Sequence, residues 1–369
     1  MSRIYNNGYE IEYPNEMAYA GMPTIVSITN ATEYNGASVT IMVGDEFYSE
    51  VRTIYNGRAT FDISRYMQLA FLGKELGVQY GDRQVQKSEL AQDVRVVVEL
   101  TNSQGEGHTA LDFDIKALYG YIAFGQANGG KRNRKLFANY PQTFDFYLTP
   151  NSEITISYNG GTEEEVAFAN NIDKISQVSV ELSRWRSVPE EAKTAVLSAK
   201  YTQMLNGDIE NESVDSAYHL TIDRSKSGVF VRWIDHFGQW CYYLFRPTAQ
   251  TYAVKEQRTW LNGELRDGVA PVRGVVQSSD FSQQQFSQQQ TLAIGAKLVD
   301  AETFDFLLSL TNSPRVEVMQ NAEAYQYDNT TAPIWERVNI VAGSYARTSA
   351  KLQDFLVTIA RTPNKTQML

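Results

Sequence analysis

Gly228-Val229-Phe230-Val231-Arg232-Trp233-Ile234-Asp235-His236-Phe237-Gly238-Gln239-Trp240-Cys241-Tyr242-Tyr243-Leu244-Phe245 is the stretch on which the reading of this chain turns. Two runs dense in aromatic and β-branched residues flank a short polar turn, Asp235-His236-Phe237-Gly238. Such residues suit a pleated surface, and a glycine-bearing gap between two of these runs predicts a β-hairpin. Neither run alternates cleanly with polar residues, as a strand with one wet face would, so both faces are expected to be covered. The hairpin is read as the centre of a β-sandwich.

Working outward, 369 residues exceed one ordinary core and suit two or three domains. Short runs of Tyr, Phe, Thr and Val, punctuated by Asn-Gly and other turn residues, predict a mainly β chain: two or three tandem β-sandwich domains with one or two short helices. A single cysteine excludes an internal disulfide, so stability must come from cores or from assembly. A formal net charge of -10 argues against a dedicated nucleic-acid surface, which needs clustered Lys and Arg. No basic-then-apolar leader and no run of eighteen apolar residues is present, so the chain is expected to be made in the cytoplasm and not to span a membrane.

The boundaries are expected near 117 and 250. An N-terminal β-sandwich covers 1–117, a central β-sandwich carrying the aromatic hairpin covers 118–250, and a C-terminal β domain with one short helix covers 251–369. In the first, strands are predicted at 9–12, 24–30, 38–43, 47–54, 58–63, 93–101 and 109–117. Ser64 is expected to cap a short helical turn through Leu72. Residues 73–90 are polar and glycine-punctuated, hence a loop.

In the second, the glycine-rich, basic segment 125–135 lacks the strand-before, helix-after context of a phosphate cradle and reads as a solvated loop or a subunit contact. Strands follow at 144–148, 153–158 and 175–182, and the acidic trio Glu163 to Glu165 reads as a solvated face. Residues 189–205 fit a helix, with Ala192, Ala195, Val196 and Ala199 on one side, or a loop followed by a strand. A strand at 218–222 then enters the hairpin.

Past Pro247 the chain looks turn-rich to Val254, and Asn262-Gly263, Gly268, Pro271 and Gly274 break up 260–276. The duplicated Phe-Ser-Gln-Gln-Gln at 281–285 and 286–290 reads as a polar surface connection. The same pattern also suits an extended β-arm that pairs with a neighbouring subunit. A strand at 291–298, a helix at 301–310 capped by Asp300, and strands at 315–319, 335–341 and 351–360 close the chain. The tail after Arg361 is expected to fray.

The search for chemistry assigns no catalytic, cofactor-binding or metal-ligating residue. His108 falls in a glycine-rich loop, His219 in a strand as a satisfied core or edge histidine, and His236 beside Asp235 in the hairpin turn. Adjacent residues at a strand end point to opposite sides, which weakens an Asp-His base pair. Cys241, inside the hairpin, reads as a small buried hydrophobe. No metalloprotease, Cys-x-x-Cys, nucleophile-elbow or P-loop pattern occurs.

The hairpin run resembles a group of virion proteins from tailed phages and prophages of gut bacteria. Three further stretches carry the likeness: Phe137-Ala138-Asn139-Tyr140-Pro141 with Phe144-Asp145-Phe146-Tyr147, Leu308 to Val316, and Pro333 to Ile340. The last two resemble the closing domain of distal-tail proteins, which form a ring between tail tube and tip. The resemblance implies a non-enzymatic structural component of the virion tail, of distal-tail or baseplate type. Its expected partners are copies of itself and other virion proteins, with no cofactor, nucleic acid or membrane. A second class, a carbohydrate-binding or adhesion module for host or mucus glycans, would need solvent-facing aromatics. A third, a polysaccharide-cleaving enzyme, would need a carboxylate pair across a groove.

Overall fold

The computed structural model describes all 369 residues except 7, 16, 73, 75, 79, 81–84, 122–129, 149–151, 169–175, 183–187, 206–207, 262–280, 328–330, 344, 362–363 and 368–369. It is mainly β, with three short helices among the described residues.

The first segment comprises β1 (Ser2–Asn6), β2 (Tyr9–Tyr13), β3 (Met17–Tyr19), β4 (Ile25–Thr29), β5 (Tyr34–Val43), β6 (Glu46–Thr53) and β7 (Ala59–Asp62), then α1 (Ser64–Leu69), β8 (Val85–Lys87), β9 (Ala91–Asn102) and β10 (Gly107–Leu118). They build one sheet in the order β1-β2-β4-β7 and another in the order β3-β10-β9-β5-β6. The period-2 pattern explains why: Val94, Val96, Val98 and Leu100 are buried while Arg95 and Glu99 between them are exposed. Their inward side chains join Val39, Ile41, Val26, Ile28 and Phe61 in the core. Ser64 is the first helical residue rather than the cap. The preceding Asp62 Oδ1 instead accepts from the backbone N–H groups of Ser64 and Thr24, at 3.0 and 3.1 Å.

The middle segment holds β11 (Gly130–Phe137), β12 (Thr143–Leu148), β13 (Ser152–Tyr158), β14 (Glu164–Phe168), β15 (Ser176–Glu181), β16 (Thr194–Leu205) and β17 (Asp208–Asp223). A five-stranded sheet, β11-β17-β16-β13-β14, faces a three-stranded one, β12-β15-β8. Of the two readings of 189–205, the loop followed by a strand is the one found: Pro189 leads a turn and 194–205 are a strand hydrogen-bonded on both sides, to β13 and β17. Two expectations are corrected here. The basic run is not a loop, because residues 130–137 form the edge strand β11, parallel to β17. The 73–90 segment is not all loop, since β8 crosses over to pair with β15. Glycines 125 and 129 lie outside the described residues.

The third segment holds β18 (Val229–Ile234), β19 (Trp240–Leu261), β20 (Phe281–Val299), α2 (Ala301–Leu308) running into a 3-10 turn (Ser309–Asn312), β21 (Val316–Met319), α3 (Ala322–Tyr327), β22 (Trp335–Ile340), β23 (Gln353–Ala360) and β24 (Asn364–Gln367). The order β19-β18-β21-β22-β23-β20, with β20 also pairing β19, closes the sheet into a six-stranded barrel. The aromatic hairpin, β18–β19, is thus hydrogen-bonded into this barrel and not into the middle sandwich, and the boundary drawn at 250 falls inside β19. Asp300 caps α2, its carboxylate accepting from Thr303 N–H at 2.8 Å, and Phe304, Leu307 and Leu310 are buried.

Two further corrections concern the arm. Pro247 does not end the strand, because a register shift between Pro247 and Ala249 absorbs its missing N–H and β19 continues. Residues 281–290 are not a surface connection but the start of β20, and residues 364–367, in the tail expected to fray after Arg361, pair with it as β24.

Candidate functional site

One buried cluster runs without a break from the N-terminal sandwich into the barrel, whereas the middle sandwich has its own core around Leu136, Phe146, Ile156, Leu197 and Leu220. The outer face of the aromatic hairpin is where all three segments meet. Phe230 stacks on Tyr140 at 4.5 Å between ring centroids and on Tyr242 at 5.9 Å, and Trp335 lies 5.9 Å away. Tyr80, from the segment that also supplies β8, donates or accepts a 2.8 Å hydrogen bond with Tyr242 Oη, which shares another at 2.8 Å with Thr143 Oγ1. Covering both hairpin faces is therefore what its composition is for: the opposite face seats Trp233 against Phe306, with Trp233 Nε1–H donating to Ser309 Oγ at 2.9 Å.

Charges are buried in this seam. The Arg232 guanidinium donates to Glu317 Oε2 through Nε at 2.6 Å, to Tyr80 Oη at 2.8 Å, and lies 4.2 and 4.5 Å from the Trp335 and Trp240 ring centroids. Burial works against its charge, but the Tyr80 and Tyr242 phenols and Glu317 outweigh that and hold its pKa above the usual arginine range. Arg315 Nε donates to the other Glu317 oxygen at 2.7 Å, so this carboxylate is shared by two guanidinium groups.

A second buried cluster sits at the turn. Asp145 on β12 accepts from Trp240 N–H at 2.7 Å and from Ser179 Oγ. Burial pushes its carboxyl up to about 7. Asp235 Oδ1 accepts from the N–H groups of Phe237 and Gln239, both at 3.0 Å, and is likewise raised by burial. Arg132 donates to Tyr218 Oη at 2.9 Å and to Gln239 Oε1, bridging middle sandwich and hairpin turn. A cleft between Thr143, Tyr218, Gln239 and Cys241 has a volume of about 20 Å³, room for about one water.

The basic run of β11 is spent in the same seam. Arg134 lies 3.9 Å over the Phe306 ring, Lys135 5.5 Å from the Tyr243 ring, and Asn133 Nδ2 donates to Glu302 on α2 at 2.8 Å. Charges on an edge strand normally keep it from pairing; here they fasten it to the barrel.

The histidines do not come together. His108 is exposed and contacts the Tyr9 and Tyr34 rings. His219 lies mid-sheet on β17 and, against expectation, its buried Nε2 has no hydrogen-bond partner among the described residues. His236 packs on Tyr121 and Phe237, and its carbonyl accepts from Tyr121 N–H at 2.6 Å. The Asp235 carboxylate thus builds the turn. Cys241 is buried, with its thiol pushed well up by burial. Among the described residues no three His, Cys, Asp or Glu side chains converge, and no helix is long and apolar enough to cross a membrane.

Sequence reading missed Asp145, Arg132, the Arg232–Glu317 pair and Tyr80. The one available signal was an acid set between aromatics in Phe144-Asp145-Phe146-Tyr147.

The other feature with functional bearing is an arm. Beyond the barrel, residues 252–261 of β19 pair with residues 281–290 of β20, a ribbon of about 34 Å at a strand's rise per residue. Among the described residues, 246–261 pair on one side only, which leaves a long edge of backbone donors and acceptors. Residues 246–253 are exposed throughout.

No family model matches the chain, and no curated protein matches it. Among solved structures, fibronectin(III)-like modules of Clostridium thermocellum CbhA are 14% identical over 58% of this chain and 94% of theirs, with a TM-score of 0.17. Drosophila OTK extracellular domains 3–5 are 8% identical over 79% and 94%, with a TM-score of 0.20. Similarity at these scores carries no functional argument.

Proposed function

We propose that this chain is a structural component of a phage particle, a ring-forming tail protein of distal-tail or baseplate type that works by self-assembly and by docking other virion proteins. The arm supports this reading most. A narrow ribbon, two-stranded except where β24 adds a third strand along residues 285–288, is marginal on its own, so its open β19 edge is stabilised when a neighbour adds a strand. Within residues 252–261 and 281–290 the only charged residues are Lys255, Glu256 and Arg258, a sparse guard against edge pairing. The resemblance of the hairpin to virion proteins of tailed phages, and of Leu308 to Val316 to distal-tail proteins, supports the same reading. The buried seam gives such a subunit a fixed arrangement of its three segments without any disulfide.

Light scattering and negative-stain imaging of the full chain, beside a variant with residues 254–288 replaced by a short Gly-Ser turn, test this. The expected result is a closed ring from the full chain and a smaller species from the variant. A full chain that stays strictly monomeric at high concentration would overturn the proposal.

A further inference from the structure

β6 lies at the edge of the N-terminal sandwich and, among the described residues, pairs only with β5. Its sandwich-facing side is tied down: Glu50 accepts from Arg52 Nε and Arg65 Nη2, both at 2.8 Å, Tyr48 packs on Tyr66, and Arg52 covers Phe61. On its outward side the one side-chain hydrogen bond among the described residues is Thr40 Oγ1 donating to Ser49 Oγ at 3.3 Å. Phe47 is 75% exposed and Val51 74%, with exposed Ser49 between them. Two large apolar side chains on the same exposed face of one free edge are what most edge strands avoid.

The order Glu46-Phe47-Tyr48-Ser49-Glu50-Val51-Arg52 is self-complementary when run antiparallel to itself. Centred on Ser49, the second copy's Val51 stands opposite Phe47, its Arg52 opposite Glu46, and its Glu50 opposite Tyr48. Directly opposed residues of a ladder share a face, so the neighbouring two-fold registers centre on Tyr48 or on Glu50. The first opposes Glu46 to the second copy's Glu50, and the other opposes Glu50 to itself. Like charges so placed repel, while aromatic–β-branched and opposite-charge pairs attract. Of these three registers only the one on Ser49 joins apolar to apolar and acid to base; one centred on Val51 also sets Glu50 against Arg52, but it pairs only residues 49–53 of β6 and leaves Phe47 outside the ladder.

We propose that β6 pairs with β6 of a second copy of this chain across a two-fold axis at Ser49, extending the five-stranded sheet into ten. Such an interface is isologous, each contact occurring twice. It uses no residue of the arm and stands whether or not the arm assembles.

Ser49→Cys tests it, because Cys241 is buried and the new thiol is the accessible one. Opposed residues on neighbouring strands lie about 4.5–5.5 Å apart at Cα, within reach of a disulfide. Mild oxidation of the full-length variant is expected to give a covalent dimer at least tenfold faster than Thr53→Cys. In this register the two Thr53 residues sit about 27 Å apart. Adding Val51→Lys to Ser49→Cys sets an ammonium against Phe47 and brings cross-linking down to the Thr53→Cys level. All three positions are exposed, and far-UV circular dichroism checks that each variant keeps its fold. Equal cross-linking by Ser49→Cys and Thr53→Cys overturns the proposal, as does cross-linking that survives Val51→Lys.

Discussion

The backbone N–H of Trp240 donates to Oδ2 of Asp145 at 2.7 Å, joining the barrel's hairpin to the middle sandwich through a carboxyl that water does not reach. A buried carboxyl facing another buried acid, Asp235, is costly to ionise, and the guanidinium of Arg132 offsets only part of that.

A dependence on pH follows. The folded chain holds the Asp145 proton up to about pH 7, while the ordinary aspartate value is 3.8. Below that ordinary value both states are protonated and nothing is gained or lost. Between roughly pH 4 and 7 the unfolded state has released the proton and the folded state has not, so stability falls as pH rises. Asp145→Asn keeps an acceptor for Trp240 N–H and presents an amide N–H to Ser179 Oγ, without the titration. The difference in unfolding free energy between variant and parent should therefore move in the variant's favour from pH 4.5 to pH 8. Denaturant titrations across that range check it, and a difference that stays constant with pH contradicts it.

Gly238 and Gly120 should be intolerant of any side chain. Gly238 has φ +71°, and a Cβ there would sit 1.9 Å from Tyr119 O; Gly120 has φ +107°, and its Cβ would sit 2.2 Å from His236 O. Two backbones cross here, where the exit of β10 passes the hairpin turn, and neither can retreat as a flexible side chain would. Gly44 has φ +59° but nothing within 4 Å, so Gly44→Ala carries only the left-handed conformational penalty of about 1 kcal/mol. Thermal denaturation should show Gly238→Ala and Gly120→Ala losing several times what Gly44→Ala loses. Equal losses would mean the crossing is loose.

How much of this was legible follows from how local each signal is. β9 and β10 were readable because alternate residues face one core and the others face water, as Val94 to Leu100 do. Residues 194–205 were ambiguous because Ala195, Leu197 and Ser198 are buried on both faces, which erases the period that separates strand from helix. The long β19 was hidden because Arg246 to Ala253 are exposed on both faces, so composition there resembles a turn. β8 and β24 are strands by virtue of distant partners, β15 and β20, and polar sequence holds no trace of that. Asp145 was invisible for the same reason: Phe144 and Phe146 fill the middle core, and the face between them is covered by the hairpin from ninety-five residues away.

The Arg232–Glu317 pair supplies the sharpest stability test of the seam. Both side chains are 5% exposed, and Glu317 also serves Arg315. Taking one partner from a buried ion pair leaves the other charge without compensation, at a cost of about 3–5 kcal/mol, whereas replacing both with apolar residues of similar volume is often near neutral. Glu317→Gln should therefore destabilise the chain strongly, because Arg232 keeps its charge between Trp240 and Trp335 with no carboxylate beside it. Arg232→Met combined with Glu317→Leu should recover much of that loss, though not all, since Tyr80 Oη loses its donor and Arg315 loses its acceptor. Chemical denaturation of Arg232→Met, Glu317→Leu and the double variant that combines them gives the coupling directly. If the double variant falls by the sum of the two single losses, the pair is not coupled and the hairpin is held to β21 by its backbone ladder and apolar contacts alone.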